Sequence, residues 1–479
     1  MLLHEQPSKT TGRPASTRSG RIASARRWVG RRPVLAIFLL ALAARVTFAI
    51  ISALVVDGYL IPDENQYVAV ARLASDGELD HSVWNGYGPS LYKATGAFTV
   101  PLTILFWLLA PWRILGQLFA AVLGAGTAAL TTRMGLEILP RRWALTAGIL
   151  VALLPSQVLW SSVVLRESAV WFCLAGIATI TILARKAEGA RRIGMLLAVA
   201  AVLLLALGFL RGQTFVAAAW MFPLAMVLHR ETRRRALVGG ALVLALFVPV
   251  VAETGIGGIS LVERVVPALG TVRAHLSMNA DSSFRPATTI PAQSAAGPDL
   301  TPDRPRDPNR PRGSGGGDPG ELPVETTTTV PLPAVLEPSS GSTRHVIEST
   351  TGTTYVVQET VGANLRAIPA GLVATLFRPW PWDRPTGASL VLALLENLLW
   401  YVLYAVAALG VWHAARSRSL PAFPLLAIVS IVLVAAVTQG NVGTAFRHRG
   451  QLLWALALLV AFGGHAIERA RGRRAAALD

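Results

Sequence analysis

Three short stretches carry side chains whose types and spacing can do chemistry. The first, Ile61-Pro62-Asp63-Glu64-Asn65-Gln66-Tyr67, opens a helix: Pro62 suits a first turn, and two acids behind it suit the positive end of the dipole. Asp63 and Tyr67 stand four apart and share a helical face. A carboxylate held there can take the proton from an attacking hydroxyl, as glycosyl transfer requires. The plainer alternative is a solvated helix start. The second stretch, Leu154-Pro155-Ser156-Gln157 to Arg166-Glu167, separates two apolar segments. Its Arg-Glu dipeptide reads either as a snorkelling pair at lipid headgroups or as Arg166 on a lipid phosphate with Glu167 orienting an acceptor or a metal. The third, Gln439 to Arg449, holds Arg447 and Arg449. Guanidinium groups pair bidentately with phosphate oxygens and stabilise a departing phosphate, although ordinary headgroups would also suit them. Arg211, at the end of another apolar segment, joins this set on weaker grounds.

These residues must be positioned by a membrane bundle. The 479-residue chain is 53% hydrophobic and only 15% charged, with a mean hydropathy of +0.50, which is a membrane composition. Apolar segments at 34–56, 112–134, 143–160, 168–184, 193–210, 214–228, 236–252, 388–411, 421–438 and 451–467 give about ten candidate spans for a hydrocarbon core roughly 30 Å thick. The fold class expected is therefore an all-α polytopic membrane protein. The net charge of +17 lies in short clusters between apolar segments rather than on one basic face, so nucleic acid is not an expected partner. The single cysteine, Cys173, precludes an intrachain disulfide.

Charge sets the orientation. If 94–111 does not cross, the tail, four connecting loops and the C-terminus together place 25 of the 44 basic residues on the cytoplasmic side. If it crosses, every cluster after the tail moves outside. The stretch is therefore expected to be an interfacial helix on the outer surface. Both termini are then cytoplasmic, the localisation is the inner (plasma) membrane, and the first span is a signal anchor. The three chemical stretches fall on the outer face.

The domain layout follows. Residues 1–32 form a disordered basic cytoplasmic tail. Residues 33–252 form an N-terminal transmembrane module with a first outer loop at 57–111. Residues 253–387 form an extracytoplasmic loop, 388–467 the C-terminal transmembrane helices and 468–479 a second basic tail. Within the large loop, 281–343 contains twelve prolines and the run Ser314-Gly315-Gly316-Gly317, and is expected to be disordered. Beyond it, His345–Ser349 and Thr354–Gln358 flank Thr351-Gly352 as a small hairpin, and Leu365–Leu376 reads as a short helix before the aromatic run Phe377-Arg-Pro-Trp-Pro-Trp-Asp.

Two charges lie inside spans. Arg45 costs about 2.5–3.5 kcal/mol at mid-bilayer on insertion scales. Glu396 lies at a matching depth, each ~17 Å from the inner boundary at ~1.5 Å per residue. The two are expected to pair as a structural intramembrane contact.

The order of these features resembles the GT-C superfamily of membrane glycosyltransferases, in particular the branch with protein O-mannosyltransferases and lipid A aminoarabinose transferase. An Arg in the first span (Arg45) is followed by Asp63, Glu64 and Tyr67, then by the helix at 94–111. Next come a span opening Trp112-Arg113-Ile-Leu-Gly-Gln-Leu and the Leu-Pro-Ser to Leu-Arg-Glu stretch at 154–167. The match covers about 33–185; the C-terminal half agrees only in layout. The resemblance implies a polyprenyl-phosphate-linked sugar donor, an extracytoplasmic glycan, lipid or protein acceptor, and inversion at the anomeric carbon. It makes Asp63 the catalytic acidic residue with Glu64 its companion, and puts Glu167 where some relatives carry a second acid, sometimes with a divalent metal. The long insertion at 281–343 departs from compact relatives.

Ala, Arg and Gly richness fits a GC-rich bacterial genome. No Walker A, dinucleotide or zinc motif is present, and the inner loops are too short to bind a nucleotide sugar. Three alternatives compete, one of them an inactive partner in glycan biosynthesis that keeps the bundle without catalysis. A polysaccharide polymerase or ligase would need the outer arginines but not Asp63 and Glu64. A glycolipid transporter or flippase should instead carry broken spans and polar residues near mid-membrane in two matching halves.

Overall fold

The computed structural model describes residues 31–56, 58–227, 344–348, 354–358, 361–382, 388–416, 422–438 and 447–475. The expectations for 236–252, for the disordered 281–343 and for the N-terminal tail lie largely or wholly outside them, whereas most of the C-terminal tail, residues 468–475, continues the last helix. Apart from one hairpin, the described chain is helical. The elements are α1 (Pro33–Val55), α2 (Pro62–Ser75), α3 (Tyr87–Ala94), α4 (Gly96–Leu108), α5 (Arg113–Ile138), α6 (Arg141–Leu153), α7 (Pro155–Trp160), α8 (Glu167–Lys186), α9 (Ala190–Gly208) and α10 (Gly212–Val227). After the hairpin come α11 (Val361–Phe377), α12 (Ala388–Arg416), α13 (Ala422–Thr438) and α14 (Leu453–Ala475). The hairpin pairs β1 (Arg344–Glu348) antiparallel to β2 (Thr354–Gln358), with Val346 opposite Val356.

Among the described residues, six helices are long and apolar enough to cross a bilayer: α1, α5, α8, α9 and the apolar parts of α12 and α14. The chain is thus a multi-pass membrane protein. The segment 83–94 and α4 meet at a bend of 99°; taken together as one bent span they would raise the number of candidate crossings among the described residues to seven. Two further expected spans form shorter helices, α10 with 16 residues and α13 with 17.

The expected span 143–160 is corrected. It breaks at Leu154 into α6 and the six-residue α7. Pro155 is the reason: it lacks an N–H, and its ring would collide with the carbonyl four residues back. The break strands the last carbonyls of α6 and the first N–H of α7 inside the bundle, where each must find a partner.

Helix α8 is the centre of the bundle, with 89% of its spanning window buried, and is covered by α5, α9 and α10. Helix α1 packs on α5 and α6, while α12 packs on α14. At Gly410 and Gly463 the α12 and α14 backbones approach so closely that a Cβ on either would sit 2.8 Å or less from the other helix's backbone.

Candidate functional site

Helix α2 begins as its sequence dictates, with Pro62 in the first turn and Asp63 and Glu64 behind it. The two acids then part company. Glu64 is fully buried. Its carboxylate accepts two hydrogen bonds from Arg113, both at 3.1 Å, one from Gln117 at 3.2 Å and one from the backbone N–H of Val164 at 3.2 Å. Arg113 also donates to the carbonyl of Gly58 and lies over the Tyr59 ring, 5.2 Å from its centroid. Glu64 therefore fastens α2 to α5 and to the segment that ends at Arg166. The expectation that Glu64 is catalytic is corrected: a carboxylate with four donors on it and no exposed surface is not placed to reach a substrate.

Asp63 points the other way. Its carboxylate pairs with Arg447 at 2.5 Å across 384 residues of sequence, and 44% of its side chain is exposed. Arg447 rests on Trp160, 4.6 Å from the ring centroid. Beside this pair Glu167 meets Arg211 at 2.8 Å, with both side chains at least nine-tenths buried. Arg166 donates to the carbonyl of Leu210 at 3.0 Å, fixing the α9–α10 corner that carries Arg211. Tyr67 is buried edge-on against Phe98, at 5.7 Å. Burial raises its phenol above the ordinary value, Arg166 and Arg211 oppose that, and Glu167 and Asp63 add to it. Asp63, Tyr67, Arg166, Glu167, Arg211 and Arg447 thus share one electrostatic neighbourhood.

The cluster is rich in cations and is not saturated. Among the described residues, Arg211 Nη1, Arg447 Nε and the Trp160 indole N–H are buried donors without a hydrogen-bond acceptor. Burial lowers Arg211 to about 10, with Glu167 resisting. His448 is held well below its ordinary 6.5, first by burial and then by Arg211, Arg166 and Arg447. Such a neighbourhood keeps His448 neutral and favours an incoming anion. A narrow cleft of about 10 Å³, room for little more than one water, lies alongside, between α10 and α13; Thr214, Ala217, Ile431, His448 and Gln451 are among its walls, and Thr214 donates to Gln451 at 2.9 Å.

Two other expectations are corrected. Arg45 and Glu396 do not pair. Arg45 donates to the carbonyls of Ala41 (3.0 Å), Ala152 (3.0 Å) and Val151 (3.3 Å) and to Ser161 Oγ at 2.6 Å. Glu396 accepts from the N–H and hydroxyl of Ser156, both at 2.5 Å, and from Trp400 at 2.8 Å. The break at Pro155 explains both: Arg45 takes the stranded carbonyls of α6, and Glu396 takes the stranded N–H of α7. Gly124 leaves room for the Arg45 guanidinium, since a Cβ there would lie 2.6 Å from Nε. Arg449, expected beside Arg447, is not in the cluster. It is fully buried, donates to the carbonyl of Thr375 at 2.6 Å and contacts Asn397 Oδ1.

Arg113, Gln117, Trp160 and His448 were not singled out for a role by sequence. For the first two a signal existed: they stand four apart on one face at the start of an apolar helix, where polar residues need a reason. Among the described residues no three His, Cys, Asp or Glu side chains gather to hold a metal, and Asp63 and Glu167 each face an arginine. This donor set does not fit a divalent ion. What the fold and cluster define is a multi-pass membrane protein with a cationic, partly unsatisfied side-chain cluster against a part-exposed carboxylate. No protein-family model matches the chain, and no curated protein matches it.

Proposed function

We propose that the chain is an integral-membrane glycosyltransferase that moves a sugar from a polyprenyl-phosphate donor to an acceptor on the extracytoplasmic side. The observation that carries this reading is the ion pair between Asp63 and Arg447, set against buried guanidinium and indole donors with no acceptor. A phosphate supplies oxygens for Arg211 Nη1 and Arg447 Nε and competes with Asp63 for Arg447. The released carboxylate is then free to act as a base.

The reaction balances on these groups. The acceptor hydroxyl oxygen attacks the anomeric carbon from the face opposite the phosphate, and its proton passes to Asp63. The bond from the anomeric carbon to the phosphate oxygen breaks, and its electron pair leaves with the phosphate, whose charge Arg211 and Arg447 stabilise. Arg166 holds the Arg211 corner in place. About ten spans, with the cluster on the outer face and both termini cytoplasmic in the inner membrane, complete the proposal.

The experiment is transfer from polyprenyl-phosphate mannose, glucose and arabinose by wild type and Asp63→Asn in nanodiscs. Loss of the base lowers transfer by about 10²-fold or more; transfer at the wild-type rate by the variant would end the assignment. A polymerase or ligase that relies on the arginines alone would lose activity on Arg447→Ala and keep it on Asp63→Asn.

A further inference from the structure

The end of α11 leads into a second feature that the transfer chemistry does not use. Phe377, Trp380 and Trp382 form a ladder of nearly parallel rings. Phe377 and Trp380 lie 6.2 Å apart at 1°, and Trp380 and Trp382 lie 5.4 Å apart at 6°. The last ring is 73% exposed. The ladder is held from beneath. Asn397 donates to the carbonyls of Phe377 (2.8 Å) and Pro379 (2.6 Å), and Tyr401 donates to Phe377 at 2.7 Å. Arg449 grips both Asn397 and the Thr375 carbonyl, and stands two residues from Arg447 of the cluster. The platform and the cluster are thus mounted on the same turn.

We propose that the Trp380–Trp382 face is a docking platform for a pyranose ring of the acceptor, which makes that acceptor a glycan. The inference rests on the glycosyltransferase reading and names its acceptor class. The C–H face of a pyranose is flat, weakly positive and apolar, whereas its hydroxyls lie at the rim. It matches the negative face of an indole while the hydroxyls stay in water. A bilayer surface makes no such demand. Interfacial tryptophans sit at headgroup level as separate anchors, and neither acyl chains nor headgroups require one flat face backed by two stacked rings and a fixed backbone.

Saturation-transfer NMR on the full chain in nanodiscs tests this with linear trisaccharides of mannose, glucose and galactose. The wild type is expected to saturate the ring C–H protons of at least one trisaccharide. Trp382→Phe keeps a face and stays within about threefold of wild type, while Trp382→Leu keeps apolar bulk without a face and binds about tenfold more weakly. In parallel, protein labelled with 5-fluorotryptophan gives a Trp382 fluorine resonance, assigned by its loss in Trp382→Phe. That resonance is expected to keep its linewidth when nitroxide-bearing lipid is added. Any one of three results overturns the platform: no saturation in wild type, equal binding by Trp382→Leu, or broadening by the nitroxide lipid, which would make Trp382 a bilayer anchor. This assay reads binding without turnover and the Asp63→Asn assay reads transfer alone, so each reading can fail while the other stands.

Discussion

Buried charge serves two different ends in this molecule. Around Pro155, Arg45 and Glu396 are enclosed by partners that a helix break leaves stranded: Arg45 covers three carbonyls and a hydroxyl, and both oxygens of Glu396 accept from Ser156 or Trp400. At the start of α2, by contrast, Asp63, Arg211 and Arg447 each pair once, and two of their donors remain unanswered. Saturation marks charge that holds a fold together; residual capacity marks charge that can receive something. Glu64 belongs to the first kind although Asp63, its neighbour in sequence, belongs to the second.

The sharpest way to break this contrast is to remove Glu64. Taking one partner from a buried, multiply bonded pair costs about 3–5 kcal/mol, because Arg113 is left uncompensated. Glu64→Gln should thus lower the melting temperature in detergent markedly or prevent accumulation of folded protein. Asp63→Asn, in a pair that solvent screens, should change stability by about 1 kcal/mol or less. Equal melting temperatures for the two variants would erase the distinction between them.

Next in size is Arg45→Met, which keeps bulk and removes every donor. The carbonyls of Val151 and Ala152 would lie unsatisfied in the bundle, at a cost of about 3 kcal/mol. Arg45→Lys should recover little, since one ammonium lacks the fork that spans these acceptors. Full stability of either variant would show that the break does not depend on Arg45.

This helix break also shows what the sequence could and could not reveal. Apolar runs located α1, α5, α8, α9 and most of α12 and α14, because hydropathy needs only composition over some twenty residues. The Pro62 start of α2, the hairpin at β1 and β2 and the helix ending at Phe377 were equally legible, each being a local signal. Equal depth suggested that Arg45 and Glu396 meet. But depth gives only one coordinate of three, and the partner each needed was created by Pro155, inside what read as an unbroken span. That Asp63 and Arg447 lie on one face was legible from the charge rule, but their pairing was not, and Arg449, two residues on, turned to Asn397. Which of two nearby arginines faces a site depends on local backbone direction, and no alternation of residue types encoded it.

A smaller effect concerns the anion pocket. Arg211→Lys keeps a charge beside Glu167 but loses the second guanidinium nitrogen, the donor left free in the structure. Undecaprenyl phosphate binding, followed by native mass spectrometry, should weaken about tenfold, the worth of one charge-assisted hydrogen bond. Undiminished binding would move the phosphate elsewhere.

The smallest effect is one of pH, and it tests whether the cationic neighbourhood is intact when no substrate is present. His448 is held neutral by burial and by Arg211, Arg166 and Arg447, so its folded value lies well below the ordinary 6.5. Below about pH 6.5 the unfolded chain takes up a proton at this position that the folded chain refuses, and stability must fall as acid is added. The sign is opposite to that of a histidine gaining a carboxylate partner. The melting temperature of the wild type should therefore decline between about pH 7 and pH 5, and His448→Gln should flatten that decline because neither state then titrates there. An anion bound to the arginines would relieve the repulsion on His448 and raise its folded value toward the ordinary one, so the decline would become shallower while its onset, set by the unfolded histidine, stayed in place. If adding undecaprenyl phosphate left the profile where it was while still binding, His448 and the phosphate would not share a neighbourhood, and the residual capacity seen at Arg211 and Arg447 would need another occupant.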